Sequence, residues 1–329
     1  MAGAAIEVRG LTKTFGDVQA VRGIDLDIAA GEMFGFLGPN GAGKTTTIKI
    51  LCTLLEQTSG TAIVAGHDVR TQRSEVRRRI GLVFQEPTLD GYLTAEQNLR
   101  FHGELYGMSR ALLRERMGEV LTMVGLEDRR RDLVRNFSGG MRRRLEIARG
   151  LLHAPAVLFL DEPTIGLDPQ TRAAIWSHIA ALRERVDITV FVTTHYLEEA
   201  EHCDRIAIID EGRIAVIGTP DELKRGIGAD RVQIRTSDDA AAIAQLRDRL
   251  GVTAAVHEGM VTFAVPHGAD FVPKLFTTLD VRIDTVTVTR PSLDDVYMAH
   301  TGRTIRDAEQ ARGRGPGAMR PMRLMGGRR

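Results

Sequence analysis

The sequence is poor in several kinds of residue, and each shortage excludes a class of protein. Its 329 residues include only two cysteines, Cys52 and Cys203, too few for a disulfide framework and too far apart for a CxxC site. No stretch free of Asp, Glu, Lys and Arg is longer than eleven residues, whereas a membrane-spanning helix needs about 20 mostly apolar residues. The first residues, MAGAAIEVRG, contain no basic segment followed by an apolar run, so we expect no secretory signal. We therefore expect a cytosolic protein without a membrane span of its own.

The chain also lacks a marked excess of charge of either sign. It has 44 Lys and Arg against 43 Asp and Glu, a formal net charge of +1. The last twenty residues, from Gln310, hold six arginines and no acid, so the rest of the chain carries a net charge of −5. A nucleic-acid-binding domain usually has a basic folded surface, and we therefore expect no nucleic-acid partner. The tail loses periodicity from about Gly302 and is expected to be disordered.

The order of the sequence patterns predicts an α/β fold with more than one domain. Over residues 1–225, continuous apolar runs alternate with helical patterns, as in a parallel sheet covered by helices. Residues 86–136 have a helical period and predict a helical subdomain inserted in this domain. Residues 226–301 predict a small α+β accessory domain, and residues 302–329 form the basic tail.

Changes of period give the expected bounds of individual elements. In the first domain we expect strands at Glu32–Leu37, Val157–Leu160 and Ile188–Val192, helices at 44–55 and Arg142–Leu152, and a hairpin over Arg205–Gly218. In the second domain we expect strands at Arg231–Arg235, Met260–Val265 and Val281–Thr289, and helices at Ala240–Leu250 and Phe271–Leu279.

The segment GPNGAGKTT lies between a predicted strand and a predicted helix, and it matches GxxxxGK[ST] in the context that this motif requires. Its glycines let backbone N–H groups converge on phosphate oxygens at a helix amino terminus. Lys44 would neutralise the β- and γ-phosphates, and the Thr45 hydroxyl would bind Mg²⁺. The residues expected to bind ATP here are Gly38, Pro39, Asn40, Gly41, Ala42, Gly43, Lys44, Thr45 and Thr46.

Two carboxylates directly follow the apolar run VLFL. The carboxyl ends of parallel strands form the ligand-binding edge of such a sheet. We expect Asp161 to hold Mg²⁺ there and Glu162 to act as the base that polarises an attacking water. His195 follows the run ITVFV to the same edge, which favours a phosphate contact over a core position.

A second glycine motif precedes the predicted helix Arg142–Leu152. Ser138, Gly139 and Gly140 could cradle a phosphate at its amino terminus, although the same residues could simply cap the helix. One ATP does not need two such cradles from one chain. The pattern therefore favours a head-to-tail homodimer in which these residues act in trans on a nucleotide held by the partner.

The motifs GPNGAGKTT, FSGGM, VLFLDEP, TIGLD and TTHY follow in an order that resembles the ATP-binding subunit of ABC transporters, over about Ile6 to Leu223. The resemblance implies that Gln85, at the end of GLVFQ, contacts Mg²⁺ and the attacking water and leads into the helical subdomain. It also implies that Asp168 lines the dimer interface, that His195 hydrogen-bonds the γ-phosphate, and that Phe15 stacks on adenine where the family more often has Tyr. By residue type alone, Gln85 could merely end a strand and Phe15 could belong to the core.

The segments RPSLDDVY, from Arg290, and HTGR, from His300, resemble the carboxyl-terminal part of daunorubicin-resistance-type exporter ATPases. With them the resemblance covers nearly the whole chain. Met141 and Ile165 stand where that family often has Gln and Thr, and neither change removes a phosphate ligand. The alternative interpretation of RPSLDDVY is an ordinary connection between a strand and a helix.

Three further clusters have simpler interpretations. Glu198, Glu199 and Glu201 predict a solvent-exposed helix face. His195, His202 and Cys203 lack the paired spacing of a zinc site. The run of arginines at 142–144 is expected to support its helix and the acidic residues nearby.

Together these patterns predict an ATPase subunit of an ABC exporter for a drug-like or lipid-like compound, with ATP and Mg²⁺ as cofactors. The expected partners are a second copy of the chain and an integral membrane permease on a separate chain, which would place the protein at the cytoplasmic face of the cell membrane. The alternatives are a soluble ABC ATPase acting on ribosomes or DNA, and a P-loop kinase. A kinase has no use for Ser138, Gly139 and Gly140, and a ribosomal factor usually carries two cassettes.

Overall fold

The structure is a computed structural model that describes residues 4–257, 259–305, 307 and 308. These residues form two compact units: the described residues up to Ile217 together with those from Ile305, and Gly218–Thr304. The second unit thus begins at Gly218, whereas the change of sequence pattern was expected near Gly226. Ile305 and Ala308 are buried, so the fold continues past Gly302. The rest of the tail predicted to be disordered lies outside the described residues.

The first unit contains ten strands and seven α-helices among the residues described. The strands are β1 Ala4–Phe15, β2 Val18–Ala29, β3 Met33–Leu37, β4 Ser59–Val64, β5 His67–Asp68, β6 Ile80–Val83, β7 Val157–Asp161, β8 Thr189–Thr194, β9 Arg205–Asp210 and β10 Arg213–Gly218. The helices are α1 Lys44–Leu51, α2 Arg73–Arg79, α3 Ala95–Leu105, α4 Arg110–Met123, α5 Gly139–Leu151, α6 Pro169–Arg185 and α7 Leu197–Ala200.

The central sheet of this unit has six strands in the order β10-β9-β3-β8-β7-β6. Strand β3 is parallel to β8 and β9, and β7 is parallel to β6 and β8. All residues of β3, β7 and β8 are buried, as expected of central strands covered on both faces. Phe34, Phe36 and Phe159 pack around Phe191 with ring centroids 5.5–5.8 Å apart. The predicted α/β fold is confirmed, and this core holds the strand ends in one row.

A second, antiparallel sheet in the order β2-β1-β4-β5 was not expected from the sequence. Apolar residues alternate along β1 and β2, and Ile6, Val8, Leu26 and Ile28 are buried on one face. The pairing of β1 with β2 is interrupted by several register shifts. These irregularities break the strict alternation by which a strand is recognised in a sequence.

Two helices differ from their expected bounds because of local capping. Helix α1 ends at Leu51 rather than near Leu55. Helix α5 begins at Gly139, three residues before the expected start, because the Ser138 side chain accepts a hydrogen bond from Met141 N at 3.2 Å and caps the helix. Over residues 86–136 the structure contains α3, α4 and two short 3-10 helices, so this stretch is mainly helical.

The second unit is a four-stranded antiparallel sheet with helices. Its elements are α8 Pro220–Ile227, β11 Asp230–Thr236, α9 Asp239–Leu250, β12 Ala254–His257, β13 Met260–Val265, α10 Gly268–Thr278, β14 Ile283–Thr289 and α11 Leu293–Thr301. The strand order is β12-β13-β11-β14. Its core includes Val232, Phe263 and Leu275. Ser292 forms a capping box with Asp295, so RPSLDDVY runs from the end of β14 into the first turns of α11.

Across the ranges described, no helix combines the length and the apolar character needed to cross a membrane.

Candidate active site

Six of the nine residues predicted to bind ATP in the glycine motif line a cavity of about 240 Å³ beyond the carboxyl ends of β3 and β7, whereas Gly38, Pro39 and Ala42 do not. The lining residues are Ala20, Asn40, Gly41, Gly43, Lys44, Thr45, Thr46, Gln85 and Glu162. Most of them come from the glycine loop after β3 and the first turn of α1. Gln85 follows β6 and Glu162 follows β7, so three strand ends contribute to one site, as the parallel order of the sheet requires.

The glycine loop needs glycine for two separate reasons. Gly41 and Gly43 have φ of 76° and 110°, the left-handed region that residues with a side chain rarely adopt. A Cβ atom on Gly38 would lie 2.2 Å from the carbonyl oxygen of Ile209, and one on Gly43 would lie 2.6 Å from that of Ala20. The loop is therefore pressed against backbone on both sides, and its own backbone can face a phosphate.

Neighbouring strands anchor the loop. Gly38 N donates to the carbonyl of Thr194 at 3.2 Å, and Gly212 N donates to the carbonyl of Ala42 at 2.9 Å. Glu211 and Gly212, with φ of 48° and 78°, form the two-residue turn between β9 and β10 that the predicted hairpin requires.

Lys44 lies at the centre of the cavity and is almost completely buried. Its Nζ donates to the carbonyls of Gly38 and Pro39 at 2.6 and 3.2 Å. The same Nζ is 3.2 Å from Oε1 of Glu162, so the lysine connects the glycine loop with the carboxylate after β7. This places a fixed positive charge where the motif predicts a phosphate contact.

Asp161 is held by hydroxyl groups from two other elements. Thr193 on β8 donates to its Oδ1 at 2.6 Å, and Thr45 on α1 donates to the same atom at 3.3 Å. Burial is the main influence on this carboxyl group, and the nearby charge of Glu162 adds to it, so the pKa of Asp161 is raised above its ordinary value.

Glu162 is buried beside two cationic or potentially cationic groups. Its Oε2 is 3.4 Å from Nδ1 of His195, and its Oε1 faces Lys44. Burial acts to raise the pKa of Glu162, but the nearby ring of His195 and the charge of Lys44 outweigh it, so the pKa is lowered overall. Glu162 also has a φ of 47°, an uncommon left-handed conformation for a residue with a side chain.

The remaining predicted residues lie outside this buried cluster. Phe15, at the end of β1, is 46% exposed, and Lys13 Nζ lies 4.9 Å from its ring centroid. Phe15 is thus not a core residue, but it does not line the cavity. Ser138, Gly139 and Gly140 form the start of α5 and do not line it either.

Asp168 begins helix α6. Its carboxylate accepts hydrogen bonds from Thr171 N and Thr171 Oγ1 at 3.0 and 2.6 Å. These bonds lower the pKa of Asp168, chiefly the one from the Thr171 hydroxyl. A Cβ atom on Gly140 would come within 2.5 Å of Thr171 Cγ2, so the start of α5 packs against the first turn of α6.

One expectation about the helix after His195 is wrong. Glu199 is 1% exposed rather than solvent-exposed, and it accepts hydrogen bonds from the hydroxyls of Thr164 and Thr194. The short helix α7 turns this side chain towards the sheet edge, while Glu198 remains exposed. Glu199 thereby connects Thr164, in the segment after β7, with Thr194 at the end of β8. No sequence pattern indicates this role.

Sequence reasoning also missed Ala20, Thr193 and Arg143. Ala20 lines the cavity from β2, and no motif in the sequence around it predicts this position. Thr193 holds Asp161, as the threonine pair before His195 could have suggested. Arg143 is buried beneath the carboxylate segment.

A glycine loop, two carboxylates and a histidine at one edge of a largely parallel sheet define a P-loop nucleotide-binding protein. The family model described as ABC transporter matches residues 21–165. The model described as ATP-binding protein DrrA1-3-like, C-terminal domain, matches residues 218–301. The second match begins where the second compact unit begins.

Relatives of known name align along nearly the whole chain. The daunorubicin resistance ATP-binding protein DrrA3 of Streptomyces coeruleorubidus is 41% identical over 94% of this chain and 100% of its own length. The linearmycin resistance ATP-binding protein LnrL of Bacillus subtilis is 36% identical over 92% of this chain and 100% of its own. The chain therefore belongs to the ATP-binding subunits of ABC transporters, in the daunorubicin-resistance ATP-binding protein family, and it is an ATPase.

Solved structures agree with this assignment. CbiO1 of Clostridium perfringens, part of the ABC transporter complex cbiONQ, matches with a TM-score of 0.64 and 27% identity over 76% of this chain and 96% of its own. A dimeric, post-hydrolysis ATP-binding cassette, MJ0796, bound to ADP and phosphate, matches with a TM-score of 0.59 and 29% identity over 65% of this chain and 98% of its own. The expected fold and ATPase activity are thereby confirmed.

Proposed function

We propose that this chain is the ATP-hydrolysing subunit of an exporter and that it powers the movement of a drug-like or lipid-like compound through a permease on a separate chain. The observation that carries the proposal is the series of contacts from Lys44 to Glu162 at 3.2 Å and from Glu162 to His195 at 3.4 Å. Lys44 and Glu162 line the cavity of the glycine loop, and His195 lies behind Glu162. The relatives named for daunorubicin and linearmycin resistance support export. An ATPase acting on ribosomes or DNA is not favoured, because those relatives match 92–94% of this chain.

In this proposal Glu162 is the general base of hydrolysis. Lys44 and His195 lower its pKa, so the carboxylate is ionised at neutral pH and ready to accept a proton from water. Lys44 and His195 also stabilise the negative charge that spreads over the γ-phosphate during in-line attack. Phe15 offers an exposed ring on which the adenine of ATP stacks.

We propose that Thr45, Asp161 and Gln85 hold Mg²⁺, since hydroxyl, carboxylate and amide oxygens are the donors that this ion prefers. Thr45 and Asp161 are already 3.3 Å apart, which supports a shared ligand. A divalent cation favours the ionised form of Asp161, whose pKa burial otherwise raises. When bound, Mg²⁺ neutralises charge on the β- and γ-phosphates. Thr193 keeps Asp161 in place through its 2.6 Å hydrogen bond.

We propose further that two copies of the chain assemble head to tail. Ser138 and Gly139 are exposed at the start of α5, and a helix amino terminus with exposed N–H groups suits a phosphate supplied from outside the chain. In this arrangement Ser138, Gly139 and Gly140 contact the nucleotide of the partner, and Asp168 lies at the interface. The similar dimeric cassette supports this arrangement.

We propose that the permease docks on the apolar surface of the helical subdomain, which would hold the chain at the cytoplasmic face of the membrane. Phe101 and Leu105 on α3 are 61% and 69% exposed. Beside them, a cavity of about 340 Å³ is lined by Leu54, Phe84 and Tyr106 among others. Contiguous exposed apolar surface of this kind commonly marks a protein interface.

The substitution Glu162→Gln tests the proposal. It removes the base but keeps the size of the side chain, so phosphate release should fall by about 100-fold or more, in the range typical of a lost general base. ATP should still bind, and the variant should run as a dimer in size-exclusion chromatography with ATP and as a monomer without it. Hydrolysis at the wild-type rate would overturn the role of Glu162, and a monomer at saturating ATP would overturn the composite site.

A further inference from the structure

Arg143 lies on the first turns of α5, and every nitrogen of its guanidinium group donates hydrogen bonds inside the protein. Nε donates to the carbonyl of Pro163, and Nη2 donates to the carbonyls of Asp161 and Glu162 at 3.3 and 3.1 Å. Nη1 donates to the carbonyl of Phe84 and to Oε2 of Glu146. These contacts employ all five N–H groups of an arginine, so the side chain has no hydrogen-bonding capacity left over for any other partner.

The acceptors belong to the two segments that carry Gln85 and Glu162. One segment runs from Asp161 to Pro163, directly after β7, and contains the proposed base. The other begins at Phe84, the residue before Gln85. Arg143 therefore joins the backbone of both segments to helix α5, although they lie 18 to 59 residues away from it along the chain.

Two other residues on the same face of α5 hold the far end of the Gln85 segment. Glu146 accepts a hydrogen bond from Thr88 N at 2.8 Å. Arg149 donates to the carbonyl of Thr88 at 3.1 Å and to its hydroxyl. Gln85 is exposed between these fixed ends. Helix α5 thus holds the segment at Phe84 and at Thr88 and leaves its middle accessible.

The contacts of Arg143 fall where the backbone needs support. Glu162 has a φ of 47°, and such a conformation is energetically unfavourable for a residue with a side chain. It persists only where the surroundings determine it. Hydrogen bonds to the carbonyls of Asp161, Glu162 and Pro163 constrain the peptide groups on both sides of this residue, and so they constrain the direction of its carboxylate.

We propose that Arg143 is a positioning residue for ATP hydrolysis: it fixes the backbone around Glu162, and with Glu146 it ties that backbone to the segment of Gln85. The inference rests on the proposed role of Glu162 as the base. Arginine is required because a lysine carries one small ammonium group and cannot reach carbonyls on two segments at once. Arg143 touches no reacting atom itself, so its loss should change the rate of hydrolysis and leave nucleotide binding intact.

The chain offers a matched control for a purely structural arginine. Arg116 on α4 donates to the carbonyls of Leu151 and Leu152 at 3.1 and 3.2 Å and pairs with Glu119, three residues further on. It thus makes the same kinds of contact as Arg143, at the opposite end of α5. None of these partners lines the cavity of the glycine loop.

The test compares Arg143→Lys with Arg116→Lys in the full-length chain. Arg143→Lys keeps the charge beside Glu146 and should fold, with a kcat reduced about tenfold or more and a KM for ATP within about twofold of wild type. Arg116→Lys should have a kcat within about twofold of wild type, even if its melting temperature falls by as much as that of Arg143→Lys. Arg143→Met should reduce kcat further, and Glu146→Gln should reduce it less, because Arg143 then keeps its carbonyl contacts.

A wild-type kcat in Arg143→Lys would overturn the inference, and so would equal losses of kcat in the two lysine variants. If Arg143→Met does not fold, Arg143→Lys and Glu146→Gln still decide the question. Glu162→Gln separates this inference from the proposal beneath it. Undiminished hydrolysis by Glu162→Gln removes both, whereas loss of hydrolysis by Glu162→Gln together with full activity of Arg143→Lys removes the positioning role alone.

Discussion

The first unit contains two helices that begin at glycine motifs, and their surroundings differ. The start of α1 is buried: Lys44 lies inside it, and backbone atoms press on Gly38 and Gly43 from both sides. The start of α5 is open: Ser138 and Gly139 are exposed, and the Ser138 side chain caps its own helix. One motif is thus surrounded by its own chain, whereas the other faces outwards.

The difference bears on the two roles proposed for these motifs. At α1 the lysine, the carboxylates and the histidine come from one chain and lie at one sheet edge. At α5 the chain presents an exposed helix amino terminus away from that cavity. The comparison therefore supports the proposal that the first motif binds the phosphates within the chain and that the second acts on a nucleotide held by a partner.

Removing the charge at the buried motif should have the largest effect. Lys44→Ala deletes the cation that contacts the glycine loop and Glu162, so hydrolysis should fall by about 1,000-fold or more. Release of inorganic phosphate measures this loss. The matched variant Lys49→Ala, one helical turn further along α1, should retain activity. Turnover by Lys44→Ala at the wild-type rate would show that the buried motif is not where ATP is hydrolysed.

A mixing experiment tests whether the open motif acts in a second chain. Gly140→Asp introduces a side chain and a negative charge where Thr171 leaves no room, so this variant and Lys44→Ala should each be inactive. In a mixture, a dimer of one copy of each has one site with neither defect. The mixture should therefore recover about a quarter of the wild-type rate, if each site works independently and assembly is random. A mixture as inactive as its components would contradict action in trans.

The exposed apolar face of the helical subdomain should affect how much of the chain binds to membranes that contain the permease. Phe101→Glu puts a charge on the apolar surface of α3, and the fraction of the chain that sediments with permease-containing membranes should fall by about tenfold, as expected when a central apolar contact is lost. Leu112→Glu is the control, because Leu112 is also exposed, on α4. Equal sedimentation of the two variants would argue against docking at Phe101.

The smallest expected effect is a change in how the free energy of unfolding depends on pH, and it arises from His102, the residue after Phe101 on α3. Burial chiefly, with Arg149 and His153 nearby, lowers the pKa of His102 to about 4. An unfolded chain takes up this proton near its usual pKa of about 6.5, before the folded chain does, so stability falls as the pH drops from about 6.5 towards 4.

His102→Gln should make the free energy of unfolding less dependent on pH over that range, as measured by urea denaturation at pH values near 7 and 5. His178→Gln is the comparison, because His178, on α6, is only half-buried. An unchanged pH dependence in His102→Gln would show that this ring is not responsible.

Elements with a clean period and clear flanking residues were predictable from the sequence. Strand β13 has the predicted bounds, Met260–Val265, and its buried residues, Val261, Phe263 and Val265, alternate without interruption. The antiparallel sheet of β1 and β2 was missed because register shifts break the alternation. Helix α5 starts earlier than expected because the serine of the glycine motif also caps the helix.

The residues of the candidate site also differ in whether the sequence predicts them. Lys44, Asp161 and Glu162 could be found because each lies in a short motif next to an apolar strand, and the strand order then brings them together. Glu199 and Arg143 could not be found, because their partners lie up to 59 residues away and no local pattern marks them. A charged side chain on a helix is expected in water unless the fold supplies acceptors or donors for it.

The turn at Glu211 and Gly212 has one more consequence. Gly212 receives a hydrogen bond from Arg22 N at 2.8 Å and gives one to Ala42 at 2.9 Å. The backbone of Gly212 thus connects the antiparallel sheet with the glycine loop through two hydrogen bonds. The sheet that carries Phe15, proposed to stack on adenine, and the loop proposed to bind the phosphates are therefore joined within one chain. If the nucleotide is enclosed as we propose, we expect the closing movement to come from the second copy of the chain and not from a shift between this sheet and the loop.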